Sequence, residues 1–514
     1  MGQHETPGAA LAQVAATQPR SNFGGWRRLC PGDGRTSLVE VFLRVVRRFP
    51  RATALESLAL PPQEHRARSW TYTQLAARVE AVAAALAARG VPGPGTPLVL
   101  WVEEGEPLVS AMLAAAALGV PFVPVDLHQP LARGTALLRS CCASFALCTA
   151  QQRERACRLL EVAAEGGVPP PTLLVVEDWD SGRGGEGEGY GEQDAVAGAQ
   201  RLSQRVEANR EAGVLHGGCL LYIIFTSGST GTPKGVRCEH AQALSYAAAK
   251  AEDEQLGCCG GVVPFFSEAK GQEGGRISAE PGRVLLVSAH TFDLCQGDCF
   301  AALLSGATFV VFAPNAAVAL RQRLREAVEF SQCTHMHLTP SLFSLMDPLE
   351  LSPASHFRHV RCISLAGEPI PSAFVRRWGS SGNAALRQPQ LRNVYGCTEA
   401  TVVQTSCSMN CFTAPSCAGI PLGNSFVLVL DSKTLELVPL GTEGEIAIGG
   451  GGLPSSGEGY HNSPSLNRER FIQHRMFGLL ILSGDKGVWN ATDRMLQVSG
   501  RIPHEQVKDN GLRL

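Results

Sequence analysis

Apolar positions along the chain fall into short blocks whose period switches between helical and strand-like. Over 71–90, Leu75, Val79, Val82 and Leu86 recur at helical spacing on one face. Thr71 and Gln74 have the spacing of a capping box, and Gly90 stands where a helix C-terminus favours glycine. A strand is predicted over 97–102, a helix over 108–118 and a strand over 121–125. The alternation resumes after Gly282, with strands over 284–287, 308–312 and 334–338 and helices over 299–304 and 317–330. Strands alternating with helices imply βαβ units and a mostly parallel sheet. From about Ile420 to Arg501 the texture changes to short strands and Gly-rich turns, which predicts a smaller β-rich subdomain packed on the α/β body.

Two stretches interrupt the pattern. Residues 180–193 are dominated by Gly and Glu and offer little apolar surface to bury. Surface insertions are therefore expected near 178–215 and near 257–282. Residues 1–36 lack periodicity and read as a flexible leader, 37–500 as the folded domain and 501–514 as the remnant of a hinge.

Composition narrows the function classes. With 514 residues, 44% hydrophobic and 18% charged, the chain is long enough for more than one core. A formal charge of −2 gives no basic field for nucleic acid, so any polyanion must be gripped locally. The 17 cysteines are an odd number without paired C-x-x-C spacing. Cys407, Cys411 and Cys417 cluster loosely, as do Cys295 and Cys299, and read as small buried hydrophobes of a reducing, cytoplasmic compartment. No apolar run is long enough to span a bilayer. The start, Met1-Gly2-Gln3-His4-Glu5-Thr6, matches the minimal N-myristoylation pattern at Gly2, and one acyl chain gives only marginal, reversible attachment.

The chemistry-bearing segment follows an apolar strand: Thr226-Ser227-Gly228-Ser229-Thr230-Gly231-Thr232-Pro233-Lys234-Gly235. Glycines that let backbone N–H groups face an anion, four hydroxyls and a lysine suit a phosphate cradle. Composition alone leaves a flexible Ser/Thr-Gly turn as the alternative, and the spacing is not that of a Walker loop.

This string closely resembles the signature of the AMP-binding, adenylate-forming superfamily, which includes acyl-CoA synthetases, luciferases and nonribosomal peptide synthetase adenylation domains. Further motifs follow in the family's order, from about Ser37 to the C-terminus. Trp70 to Leu75 and Gly119 to Asp126 resemble its first two motifs. Ala366-Gly367-Glu368-Pro369 resembles the segment lining the adenine pocket, and Asn393-Val394-Tyr395-Gly396-Cys397-Thr398-Glu399 the N-x-Y-G-x-T-E motif. Gly444 to Gly450 with Gly459-Tyr460 resembles a G-E…G-Y stretch, Ser483-Gly484-Asp485 a T-G-D motif, and Gly500-Arg501 the start of a hinge.

The resemblance implies the large N-terminal domain of an adenylate-forming enzyme, with two α/β subdomains of mixed sheets and a β-rich one. It implies ATP and Mg²⁺ as cofactors. Thr226 to Gly231, Lys234, Gly367, Glu368, Asn393, Gly396 and Arg501 would line the nucleotide site. Tyr395 would stack on adenine, Thr398 contact phosphate, Glu399 hold Mg²⁺ and Asp485 bind the ribose hydroxyls. Thr226, Lys234, Thr398 and Glu399 would carry catalysis.

Thr291-Phe292-Asp293 resembles the motif at the acid pocket. In amino-acid-activating relatives the Asp pairs with the substrate ammonium; a helix N-cap is the alternative role for Asp293. Aligned onward, the pocket comprises Asp293, Leu294, Gly297, His337, Ser364, Ala366, Val394, Val402 and Val403. The pattern also resembles the β-alanine-activating branch related to aminoadipate reductases.

The expected reaction is activation of a carboxylic acid, an amino acid first, as an acyl-adenylate with release of pyrophosphate. A phosphopantetheine carrier or CoA would be the acceptor. An acyl-CoA ligase and a nucleotide-binding relative without turnover remain alternatives. Pro503 stands where relatives have a hinge Asp or Lys, Glu505 is an extra residue before Gln506, and the relatives' small C-terminal domain has no counterpart within these 514 residues.

Overall fold

The computed structural model describes residues 35–58, 67–91, 93–176, 191–226, 233–257, 281–312, 320–346, 356–380, 388–423, 425–502, 508–509 and 512–513. They fall into two compact units that divide after Ala319.

The unit of residues 33–319 holds strands β1 (Thr53–Leu58), β2 (Ala67–Thr71), β3 (Leu98–Trp101), β4 (Phe122–Pro124), β5 (Phe145–Thr149), β6 (Thr172–Val176), β7 (Leu220–Thr226), β8 (Lys234–Glu239), β9 (Arg283–Leu285) and β10 (Thr308–Phe312). One sheet has the order β6-β5-β3-β4-β7-β8, parallel except for β8. Its inner strands are buried along their length, so they read as continuous apolar runs rather than alternating ones. Val99, Trp101, Val123, Leu137 and Leu159 form part of its core. In the second set, β9, β10 and β1 are parallel and β2 returns antiparallel on β1.

The helix Tyr72–Ala88 has the capping box of Thr71 and Gln74, and Leu75, Val79, Val82 and Leu86 are buried. Gly90 follows the C-cap Arg89 with φ +73°, the left-handed conformation that ends a helix at low cost in glycine. The helix Leu38–Arg48 starts on a Ser37/Glu40 capping box that periodicity did not single out. The helix predicted over 299–304 begins earlier, at Asp293.

The expectation of a surface insertion near 178–215 needs correction for its second half. Residues Glu192–Glu211 form a 20-residue helix. Ala195, Gly198, Leu202 and Val206 repeat at helical spacing and are buried. A Cβ at Gly198 would stand 2.6 Å from Ala77 Cβ, and Arg205 forms a two-pronged ion pair with Glu80 at 2.6 and 2.8 Å. This helix belongs to the body because its narrow apolar stripe and its glycine fit the helix Tyr72–Ala88. The acidic run before it, and most of 257–282, lie outside the described residues.

The unit of residues 320–514 holds β11 (His335–Leu338), β12 (Cys362–Ala366), β13 (Gln390–Tyr395), β14 (Thr405–Ser408), β15 (Cys417–Pro421), β16 (Ser425–Leu430), β17 (Gly444–Gly450), β18 (Phe471–His474), β19 (Gly478–Trp489) and β20 (Leu496–Arg501). Strands β11, β12 and β13 are parallel, and β14 and β15 follow antiparallel. Strand β15 also pairs with β20, from which the antiparallel β-rich part continues through β19 to β17 and β16, with β18 on β19. The β-rich part is thus hydrogen-bonded into the neighbouring sheet through β15. Its own core is Leu428, Leu430, Leu437, Ala447 and Leu480. Residues Lys508–Asp509 and Leu512–Arg513 pair in a short antiparallel ladder. Pro503, Glu505 and Gln506 lie outside the described residues. Among the described residues no helix is long and apolar enough to cross a membrane.

Candidate functional site

In the unit of residues 320–514, parallel strands β11, β12 and β13 end at Leu338, Ala366 and Tyr395. The segments after their carboxyl ends carry the motif residues, the usual place for ligands in parallel sheets. Strand alternation sorts them. His337 pairs with Ser364 across β11 and β12, and Ala366 with Val394 across β12 and β13, so these four share one sheet face. All four are buried. Asn393 and Tyr395 belong to the opposite face. Candidate acid-pocket and nucleotide residues on one strand therefore separate by the pleat alone.

Tyr395 Oη donates to Asp485 Oδ2 at 2.8 Å, and Arg501 Nε lies 2.9 Å from Asp485 Oδ1. Asp485 and Arg501 are register partners across β19 and β20. Asp485 N is held by Ser483 Oγ at 3.0 Å, and Gly484 N by Glu445 Oε1 at 3.1 Å. Burial, and then the Asp485 charge, raises the Tyr395 hydroxyl well above the ordinary tyrosine range, so it stays a donor. Burial likewise raises the Glu445 carboxyl. Each Asp485 oxygen takes one protein donor and, as a carboxylate oxygen, has capacity for another.

The turn from Gly396 to Gln404 is tightly built. A Cβ at Gly396 would stand 2.4 Å from Val403 Cα, so only glycine fits there. Thr401 and Val402 have φ of 70° and 66°, uncommon for β-branched residues. The Gln404 side chain compensates, accepting from Cys397 N and donating to the carbonyls of Ala400 and Thr401. On this turn Thr398 opens a short 3₁₀ segment, and buried Glu399 accepts a 2.7 Å hydrogen bond from Tyr460 Oη. Tyr460 is itself fixed by reciprocal backbone bonds with the Asn467 side chain. Gly367 has φ +85°, and Glu368 Oε2 accepts from Ser341 N and Oγ. Asn393 Nδ2 donates to the carbonyls of Cys417 and Pro415.

In the unit of residues 33–319, Thr226 pairs with Lys234 across β7 and β8, so the Ser/Thr/Gly loop is a hairpin connection rather than a strand-to-helix one. Ser227, Gly228, Ser229, Thr230 and Gly231 lie outside the described residues. Asp293 is the first residue of the helix Asp293–Leu304 and is buried; Phe292 is the N-cap and no side chain caps the helix, which corrects the capping alternative for Asp293. Leu294 and Gly297 follow on its first turns. Five residues on, Asp298 Oδ1 lies 3.3 Å from Lys250 Nζ, which also meets Glu254 at 2.8 Å, all three buried. Burial alone would lower the Lys250 pKa, but Glu254 and Asp298 outweigh it and hold the ammonium charged. The loop before Asp293 is tied by His290, whose Nδ1 is 3.2 Å from Glu104 Oε1 and whose carbonyl accepts from Gln296.

Sequence reasoning assigned no role to Gln404, Ser341, Ser483 or Tyr460. Tyr460 had a signal, since it closes the quoted Gly459-Tyr460 pair. Gln404 had none that is local. Glu399 offers one carboxylate, with one oxygen already bonded to Tyr460. That donor chemistry fits Mg²⁺, which is commonly held by one or two carboxylates plus substrate phosphates. Among the described residues no cluster of three or more His, Cys, Asp or Glu could hold a metal ion by itself.

The sequence model of the family described as "AMP-binding enzyme" matches residues 42–461. Tyrocidine synthase 3 of Brevibacillus parabrevis is 30% identical over 452 residues, 87% of this chain and 6% of that protein. Nonribosomal peptide synthetase sidE of Aspergillus fumigatus is 27% identical over 485 residues, 94% of this chain and 19% of that protein. Novobiocin biosynthesis protein H of Streptomyces niveus is 29% identical over 436 residues, 85% of this chain and 61% of that protein. The chain thus spans less than two thirds of each of these relatives. Among solved structures, the nonribosomal peptide synthetase FmoA3 matches with TM-score 0.70 at 20% identity, over 96% of this chain and 45% of that one. The Klebsiella oxytoca NpsA N-terminal subdomain in complex with 3-hydroxybenzoyl-AMSN matches with TM-score 0.65 at 22% identity, over 90% of this chain and 100% of that one. These likenesses share the mixed α/β fold.

Proposed function

Because the chain belongs to the AMP-binding enzyme family, we propose that it uses ATP to activate a carboxylic acid, an amino acid in the first instance, as an acyl-adenylate. The observation that carries this reading is the Tyr395–Asp485–Arg501 chain of contacts beside the Gly396–Gln404 turn. It joins a ring able to stack on adenine to a carboxylate with acceptor capacity left for ribose hydroxyls.

The reaction needs little protein acid–base chemistry. A carboxylate oxygen of the acid attacks the α-phosphorus, and the bond to pyrophosphate breaks. The protein's part is positioning and charge stabilisation. Tyr395 and Asp485 orient the nucleoside, with Arg501 fixing Asp485. The Thr398 hydroxyl and the Thr226–Lys234 segment steady the phosphates. Glu399, held by Tyr460, supplies an oxygen ligand for Mg²⁺. When bound, that ion neutralises charge that builds up on the departing pyrophosphate. Asp293 reads the substrate amino group, and His337, Ser364, Ala366, Val394, Val402 and Val403 shape the remainder of the acid pocket. The adenylate then passes to the thiol of a phosphopantetheine carrier.

The test is ATP–pyrophosphate exchange across a panel of acids, alongside calorimetric titration with MgATP. Amino-acid-dependent exchange, and ATP binding weakened by Asp485→Ala, support the reading. Exchange driven only by acids without an amino group moves the assignment to an acyl-CoA ligase. Binding without exchange makes the chain a nucleotide-binding protein without turnover. A folded sample that binds no ATP overturns the proposal.

A further inference from the structure

Cys407 and Cys417 are separated by ten residues of sequence, yet their sulfurs lie 3.4 Å apart, with Met495 Sδ 3.6 Å from Cys417 Sγ. Both cysteines are reduced and buried, but they sit one residue from exposed Ser408 and Ser416. Three soft sulfur atoms are thus gathered one residue below the surface. Cys407 is the register partner of Asn393 across β13 and β14, and Asn393 Nδ2 donates to the Cys417 carbonyl at 2.8 Å. Tyr395 follows two residues along the same strand.

The two thiols are not equivalent. Cys407 acts as donor to Cys417, which lowers the Cys417 pKa below the usual thiol range; the Gly419 N–H adds to this, while burial opposes it. That same hydrogen bond, with burial, raises Cys407. The partner with the more accessible thiolate is the better nucleophile, and the other stands within reach to resolve the product.

We propose that Cys407 and Cys417 form a peroxide-sensitive pair that closes to a reversible disulfide beneath the Asn393–Tyr395 segment and weakens nucleotide binding when closed. In the first step the Cys417 thiolate attacks one oxygen of hydrogen peroxide. An S–O bond forms, the O–O bond breaks, and hydroxide leaves to be protonated to water. In the second step the Cys407 sulfur attacks the sulfenic sulfur. The S–S bond forms, the S–O bond breaks, and water leaves with the Cys407 proton. Two thiols are oxidised and one peroxide is reduced to two waters. Closure from 3.4 Å to the about 2.05 Å of a disulfide draws the Cys417 strand against β14. The 2.8 Å bond from Asn393 to the Cys417 carbonyl lies directly in that path.

The coupling to nucleotide rests on the function proposed above, so the reduced full chain is first titrated with ATP. No binding there sinks the nucleotide reading, and the disulfide is then judged by mass alone. The chain is exposed to graded hydrogen peroxide, free thiols are blocked, and peptides are analysed by mass spectrometry. The expected product joins the Cys407 and Cys417 peptides, lacks two hydrogen atoms and is reversed by dithiothreitol. Cys407→Ser should leave a dimedone-reactive sulfenic acid on Cys417, whereas Cys417→Ser should leave Cys407 unmodified. Recovery of both as free thiols, at peroxide levels that oxidise exposed Cys142, overturns the pair. Losing one neutral hydrogen bond at the site should weaken ATP binding about threefold to tenfold in the oxidised chain and leave oxidised Cys407→Ser unchanged. A linked pair with unaltered ATP affinity overturns the coupling.

Discussion

The Tyr460 hydroxyl donates to the Glu399 carboxylate at 2.7 Å, although the two residues are 61 positions apart. The bond is buried, and a T-shaped contact of the Tyr460 ring with Phe471, centroids 5.8 Å apart, holds it from behind. A Cβ at the preceding Gly459 would stand 2.1 Å from the Phe471 ring, so the tyrosine enters the site over a glycine for steric reasons.

Tyr460→Phe keeps the ring and removes the donor. A hydrogen bond to a charged group contributes about 1.5–3 kcal/mol, so the Mg²⁺ concentration for half-maximal exchange should rise roughly tenfold. The unfolding midpoint should change far less. An unchanged Mg²⁺ dependence in a folded variant makes Tyr460 a packing residue only.

Asp293→Ala separates substrate reading from structure. Removing one partner of a buried ion pair costs about 3–5 kcal/mol, so exchange with amino acids should fall at least about a hundredfold. Exchange with the desamino analogues and binding of ATP should persist. Because no side chain caps the helix at Asp293, the loss should be specific to amino acids. A constant ratio of amino-acid to desamino-acid exchange between wild type and variant removes Asp293 from substrate recognition.

His240 supplies a pH dependence of stability. Its Nδ1 accepts from Leu38 N at 3.2 Å, at the start of the helix Leu38–Arg48, which requires the neutral ring. Burial, with His216 adding to it, lowers its pKa from 6.5 to about 3. Between those values the unfolded chain binds the proton and the folded chain does not. Stability from this group is therefore complete above pH 6.5 and declines as pH falls towards 3. At pH 5.0 the loss relative to pH 7.5 should be about 2 kcal/mol. His240→Asn, which retains an acceptor without a titrating ring, should reduce that slope in urea unfolding. A slope equal to the wild type's refutes the assignment.

Gly198→Ala tests whether the helix Glu192–Glu211 is part of the body. In an exposed insertion the change would stabilise by about 1 kcal/mol through helix propensity. Here the new methyl meets Ala77 Cβ at 2.6 Å and Cα at 2.8 Å, and overpacking of that kind costs about 1–3 kcal/mol. The thermal midpoint should fall; a rise would return the segment to the surface.

The sequence by itself determined what depends on neighbours along the chain. The Thr71/Gln74 capping box, the all-buried strand Thr308–Phe312 and the ordered motif residues are local features, set by hydrophobic period, backbone hydrogen bonding and short spacings. The strand Gln390–Tyr395 could already be assigned two faces, because side chains alternate along any strand. Tertiary structure decided which side chains meet. Tyr395 reaches Asp485 across 90 residues, Gln404 folds back over its own turn, Cys407 meets Cys417, and Gly198 admits a neighbouring helix. None of these has a local pattern, since each contact depends on how strands register and how closely helices approach. For the same reason a polar, glycine-containing stretch over 192–211 read as an insertion: its apolar stripe is narrow, and only the partner helix shows that the glycine is a point of contact.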